Sequence, residues 1–137
     1  MEIIMKPIGE VISVGEAKQE TERFSDRQEV IEIYPEFVEG LTDIVPGKKL
    51  QILFYFHKSE GYNCIAFSHF EKRMTGLFNT RCPMRPNGIG VTVVDVLAVD
   101  GGKLTVDGAD MLEGTPILDI KPWNIGPGPG HMHGRKP

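Results

Sequence analysis

Gly90-Val91-Thr92-Val93-Val94-Asp95-Val96-Leu97-Ala98-Val99, Asp100-Gly101-Gly102-Lys103 and Leu104-Thr105-Val106-Asp107 follow one another without interruption. Valine and threonine dominate the first run, and β-branched side chains suit a pleated, half-buried surface. The Gly pair supplies the positive φ that a tight hairpin requires, so the stretch predicts two antiparallel strands. Upstream, Lys48-Lys49-Leu50-Gln51-Ile52-Leu53-Phe54-Tyr55-Phe56-His57 is aromatic-rich and too short between turn signals for a helix. It predicts a strand buried over most of its length. Further strands are expected at Ile8 to Val14, Glu29 to Ile33, Asn63 to Phe67, Gly76 to Thr80 and Pro116 to Ile120, each bounded by Gly, Pro, Asp or Ser. Pro35 to Leu41 has Pro at its start and Gly near its end, which suits one helical turn. About seven short strands with little helix predict an all-β fold, a small closed or partly closed β-barrel or a sandwich, closure hiding the strand edges.

The 137 residues, 40% of them apolar, suffice for one domain, expected over residues 1–125. The mean hydropathy of −0.17 suits a soluble, turn-rich globule. Its apolar runs are too short to span a bilayer, and Met1-Glu2-Ile3-Ile4-Met5-Lys6-Pro7 has no signal-like apolar stretch, so a cytoplasmic protein without a membrane partner is expected. Residues 126–137 repeat Gly and Pro and predict an extended or disordered tail. His131 and His133 within it supply too few ligands to hold a metal, and no metal site is expected. Lys18 to Gln28 is polar throughout and reads as a mobile loop between two strands. Cys64 and Cys82 form neither a CxxC pair nor a disulfide framework and are expected as free thiols.

A net charge of −4 argues against a polyanion partner if the charge is spread evenly. It is not. Residues 1–46 carry eleven acids against four Lys and Arg, while residues 47–137 carry eleven Lys and Arg against eight acids. Within the second part, His69, Lys72, Arg73, Arg81 and Arg85 face the single acid Glu71 in sequence, which is compatible with a local basic surface and equally with solvated charges.

Two further stretches carry chemistry. Gly76-Leu77-Phe78-Asn79-Thr80-Arg81-Cys82-Pro83-Met84-Arg85-Pro86-Asn87-Gly88-Ile89-Gly90 is an irregular segment stiffened by two prolines and flanked by arginines. It suits recognition of a carboxylate or phosphate, and equally a tight corner whose arginines cover the outside. In Asp110-Met111-Leu112-Glu113-Gly114-Thr115-Pro116-Ile117-Leu118-Asp119-Ile120-Lys121-Pro122-Trp123, strand spacing puts Asp119 and Lys121 on one face, as a plain ion pair or as the wall of a polar pocket.

These residues resemble a known family. Thr80 to Gly90 is similar to the signature T-R-S-P-x-R-P-N-P-I-G, and Glu113 to Pro122 to D-G-T-P-V-L-D-I-K-P, of the TsaA-like family, also called YaeB or TrmO. Lys6-Pro7-Ile8-Gly9 and Phe54-Tyr55-Phe56-His57 match in type and order, so the likeness runs from Lys6 to Trp123. It implies a β-barrel that dimerises and binds S-adenosylmethionine near the subunit interface. It also implies methylation of the exocyclic nitrogen of threonylcarbamoyl-adenosine beside the tRNA anticodon. Carried over, it assigns cofactor contacts to His57, Lys58, Arg85, Asn87, Leu112, Glu113, Gly114 and Thr115. Asp119 or His57 becomes the candidate proton acceptor, and Lys72, Arg73, Arg81 and Lys121 the residues that meet the anticodon stem-loop. The loop around Gln19 to Ser25 corresponds to one that approaches the cofactor.

Methyl transfer from a sulfonium is an in-line displacement in which the cofactor carries the reactive group, so no nucleophilic triad is needed. The chain departs from the signatures at Cys82 for Ser, Gly88 for the Pro that precedes Ile, Glu113 for Asp and Trp123 for Tyr. The acidic first third suits an alternative of another class, a cofactor-binding or small-molecule-sensing module without tRNA methylation.

Overall fold

A computed structural model of the chain describes residues 1–15 and 28–124. Residues 18–27 of the polar segment between the first two strands, with Gln19 to Ser25, and the Gly/Pro-rich segment 126–137, with His131 and His133, lie outside the described residues.

Eight strands form among the described residues: β1 (Gly9–Val14), β2 (Gln28–Ile33), β3 (Lys49–Tyr55), β4 (Ile65–Ser68), β5 (Arg73–Gly76), β6 (Ile89–Asp100), β7 (Lys103–Asp107) and β8 (Pro116–Pro122). Six of them hydrogen-bond edge to edge in a ring of order β1-β2-β7-β6-β3-β8, closed where Gly9 and Glu10 pair with Ile117 and Pro116. Every pairing is antiparallel. The remaining two strands, β4 and β5, make a separate hairpin.

The fold class is therefore the expected all-β one, with a strand at Arg73–Gly76 in place of the one expected at Gly76 to Thr80. Gly76 to Thr80 does not form a strand: β5 ends at Gly76, and Leu77–Asn79 is a turn of 3₁₀ helix. The Leu77 N–H donates to the Cys64 carbonyl at 2.8 Å, and buried Leu77 anchors that turn. The predicted turn at Pro35–Leu41 is a 3₁₀ helix with Pro at its start.

The period of two explains the core. Leu50, Ile52 and Phe54 of β3, Val94 and Val96 of β6, Leu104 and Val106 of β7 and Ile31 and Ile33 of β2 all fall inside the ring and are buried. Each such side chain contributes about 1.5–3 kcal/mol by leaving water. Irregular register between Val11 and Ser13, at Leu53/Phe54 and between Val96 and Ala98 marks bulges, which bend strands enough to close a small ring. Lys103–Asp107 returns along β6 after a turn at Gly101, whose φ is +60°, as the Gly pair predicts.

One signature departure has a backbone reason. Gly88 has a φ of +61°, and its carbonyl accepts the Phe56 N–H at 2.8 Å, continuing the β3–β6 ladder by one bond. Proline is fixed near −65° and cannot adopt that conformation. Restoring the signature residue as Gly88→Pro is therefore expected to cost about 2 kcal/mol in chemical denaturation. An unchanged midpoint would contradict the backbone explanation.

Candidate functional site

Beyond Tyr55 the chain leaves β3 through Phe56, His57, Lys58 and Ser59, and these residues form one wall of a cavity of about 250 Å³. The segment joining β7 to β8 supplies the facing wall with Asp110, Met111, Leu112 and Thr115, and Pro83 closes a side. Backbone bonds fix that segment: the Gly114 N–H donates to the Val11 carbonyl at 2.7 Å, and the Val11 N–H to the Thr115 carbonyl at 3.0 Å. Thr115 is buried and donates its hydroxyl to the Leu112 carbonyl at 2.6 Å. Gly114 has a φ of +86° and lies so close over His57 that a Cβ there would stand 3.7 Å from Nε2. Phe54 and Phe56 meet edge to face with centroids 5.1 Å apart, giving the cavity an aromatic floor.

Of the expected cofactor contacts, His57, Lys58, Leu112 and Thr115 thus come together from segments more than fifty positions apart, with Gly114 beside them and exposed Glu113 in the same turn. Asn87 lines a separate apolar cavity with Ile3, Met5, Pro7, Tyr55 and Pro116. Arg85 faces a third cavity of about 230 Å³ together with Phe56, Thr80, Arg81 and Val91, and Phe56 is common to this one and the first. The Arg85 guanidinium donates to the carbonyls of Thr80 and Cys82, both at 2.9 Å, and of Leu77 at 3.2 Å. It also stands 5.9 Å from the Phe78 ring centroid. Three of its five N–H groups are therefore spent holding its own loop.

Asp119 and Lys121 share the outer face of β8 and form an ion pair at 3.1 Å, with both side chains about half exposed. Asp119 borders a cavity with Ile8, Phe37 and Ile120, not the one that holds His57, so the two candidate proton acceptors are separated. Lys72 occupies the β4–β5 turn with a φ of +60°, and its neighbour Arg73 pairs with Glu71 at 3.4 Å. Burial, then the charges of Glu10, Glu32 and Glu36, push the Tyr34 phenol above its ordinary range, but Tyr34 lines neither of the cavities that share Phe56. Among the described residues, no group of three or more His, Cys, Asp or Glu side chains is placed to hold a metal ion. No helix among them is long and apolar enough to cross a membrane. Cys64 and Cys82 are unpaired.

Sequence reasoning missed Pro83, Tyr55 and Asp110 as lining residues of the first cavity. Pro83 and Asp110 stand within the two stretches singled out for chemistry, which is the signal that could have found them.

Residues 15–125 match the family described as the tRNA-methyltransferase O N-terminal domain. The chain belongs to this family. A crystal structure of TrmO from Pseudomonas aeruginosa superposes with a TM-score of 0.70 at 32% identity, covering 90% of this chain and 57% of that one. An S-adenosyl-L-methionine-binding protein of Archaeoglobus fulgidus is 34% identical over 125 residues, 89% of this chain and 90% of its own length. The human tRNA (adenine(37)-N6)-methyltransferase is 45% identical over 75 residues, 53% of this chain and 17% of that protein. Several relatives are longer: the chain spans 28% of one from Archaeoglobus fulgidus and 53% of one from Pyrococcus abyssi.

Proposed function

We propose that the chain is an S-adenosylmethionine-dependent methyltransferase acting on the exocyclic nitrogen of threonylcarbamoyl-adenosine next to the tRNA anticodon. The observation that carries this reading is the convergence of His57, Lys58, Leu112 and Thr115 on one cavity in a chain of the tRNA-methyltransferase O family. The residues present fit the cofactor. Phe54, Phe56 and Leu112 offer apolar surface for a nucleoside, while Lys58 and Asp110 offer opposite charges for an amino-acid moiety. At about 250 Å³ the cavity falls just below the ~300 Å³ at which small-molecule sites usually begin, so a ligand of this size extends past the mouth. That supports completion of the site by a second protomer, as does the exposed apolar surface of Ile65, Phe67, Met74 and Phe78 on and beside the β4–β5 hairpin. We place the activity in residues 1–125 of a cytoplasmic homodimer.

The cofactor supplies an activated methyl group on a sulfonium. The protein's part is to orient and to move one proton. A nitrogen bonded to a carbonyl is a weak nucleophile, and His57, at the cavity wall, is the side chain we assign to accept its proton. Asp119, paired with Lys121 elsewhere, is left a structural role on β8 in this reading.

The test is incubation with labelled S-adenosylmethionine and tRNA with or without the threonylcarbamoyl group. Label confined to the modified RNA is expected. Cofactor binding with label in neither RNA would favour a binding module, in keeping with the Archaeoglobus relative named for binding alone. Leu112→Asp is expected to weaken S-adenosylmethionine about tenfold by calorimetry, since it replaces exposed apolar lining with a carboxylate. Unchanged affinity would move the cofactor to another cavity.

A further inference from the structure

Two cavities share Phe56, and the second differs from the first in charge. Among the described residues its lining includes Arg81 and Arg85 and no carboxylate. Arg85 is occupied with its own loop, as described above. Arg81 is not: its one hydrogen bond among the described residues reaches the Val91 carbonyl at a long 3.4 Å, and it takes part in none of the ion pairs there. Two guanidinium groups on one concave wall repel each other, and an anion bound between them relieves that repulsion. A guanidinium fork with free donors matches the paired oxygens of a carboxylate or phosphate.

We propose that this second cavity is an oxyanion subsite for the RNA substrate, with Arg81 as the residue that grips it; the proposal rests on the methyltransferase reading above. In a threonylcarbamoyl-adenosine, the amino-acid carboxylate lies four bonds from the exocyclic nitrogen, about 5 Å at peptide-like bond lengths. A substrate nitrogen in the first cavity therefore carries its carboxylate into the neighbourhood of Phe56, the wall both cavities share. A backbone phosphate of the anticodon loop presents the same oxygen pair, and the two sources are separable by experiment. The subsite accounts for an arginine that has no ion pair among the described residues, where a loop corner alone requires none.

The test is binding of an anticodon stem-loop RNA by fluorescence anisotropy, with S-adenosylhomocysteine present. One RNA carries threonylcarbamoyl-adenosine and the other carries the same group with its carboxylate converted to an amide. Arg81 is exposed, so Arg81→Gln is expected to keep the wild-type melting temperature. If the anion is the carboxylate, Arg81→Gln weakens the acid RNA about 10- to 100-fold, and the wild-type chain binds the amide RNA as weakly as the variant does. If it is a phosphate, the loss is equal for both RNAs and the slope of log affinity against log salt falls by about one. Arg81→Lys keeps the charge but not the fork, so it restores the phosphate contact more fully than the carboxylate one. Wild-type affinity of Arg81→Gln for both RNAs overturns the proposal. So does RNA that fails to bind the wild-type chain, or a loss of S-adenosylmethionine affinity in step with the RNA loss. Methyl transfer is read separately. Arg81-dependent binding without transfer leaves the subsite standing and removes the enzyme, while transfer that Arg81→Gln leaves unchanged does the reverse.

Discussion

Gly90→Val is expected to destabilise the protein by about 3–4 kcal/mol and to abolish S-adenosylmethionine binding. Gly90 pairs with Phe54 across the β3–β6 ladder, and the Phe54 ring lies directly over the space a side chain there would need. A Cβ built on Gly90 would have the Cζ, Cε2 and Cε1 atoms of Phe54 within 2.9 Å, closer than real Cβ contacts permit. The ring has little room to retreat, because Phe54 is only 5% exposed and packs edge to face on Phe56. Valine must therefore expel Phe54 or separate the strands, and either outcome dismantles the aromatic floor of the first cavity. The origin of the effect is testable by a double-mutant cycle. Phe54→Leu costs stability alone, yet in a Gly90→Ala background it should recover about 1 kcal/mol, since residues in direct contact couple by ~0.5–3 kcal/mol. Strictly additive losses, or a Gly90→Val protein with the wild-type denaturation midpoint, would show that the two positions do not compete for space.

The sequence makes such a clash visible only in part. Alternation of apolar residues identifies Leu50, Ile52 and Phe54 as one face, and the Asp100-Gly101-Gly102-Lys103 turn identifies the hairpin that follows. That a glycine opposite Phe54 is there to accommodate a ring depends on register, and register is settled by partners remote in sequence. Gly76 to Thr80 reads as a strand for a related reason. Leu77 and Phe78 look like strand residues, but Leu77 is buried as the anchor of a 3₁₀ turn, and Phe78 is left 80% exposed beside Arg85. The first cavity was legible through the end of the aromatic strand and the Asp110 to Trp123 stretch, since His57 and Lys58 and the Leu112 to Thr115 turn do converge. The division of labour between the two signature arginines was not. Whether a guanidinium faces its own loop carbonyls or an open cavity is decided by a chain path that residue types alone do not encode.

Arg85→Ala is the second change with a large expected effect, and the geometry alters what it should do. A residue that bound the cofactor directly would, when removed, weaken affinity and leave the fold intact. Arg85 instead joins the carbonyls of Leu77, Thr80 and Cys82, so its removal leaves three half-buried acceptors to find water and frees the loop that carries both Arg81 and Pro83. Hydrogen bonds to charged groups contribute about 1.5–3 kcal/mol each and share the cost when they form one network, so a total near 3 kcal/mol is expected. For a domain of this size that corresponds to a melting temperature lowered by roughly 8–12 °C. Arg85→Lys should recover less than half of this shift, because one ammonium lacks the planar fork that reaches three diverging carbonyls. Cofactor affinity should fall less than RNA affinity, since the loop gives the first cavity Pro83 alone but gives the second Thr80 and Arg81. A variant that melts like the wild type while losing S-adenosylmethionine binding would reverse this assignment and return Arg85 to the cofactor.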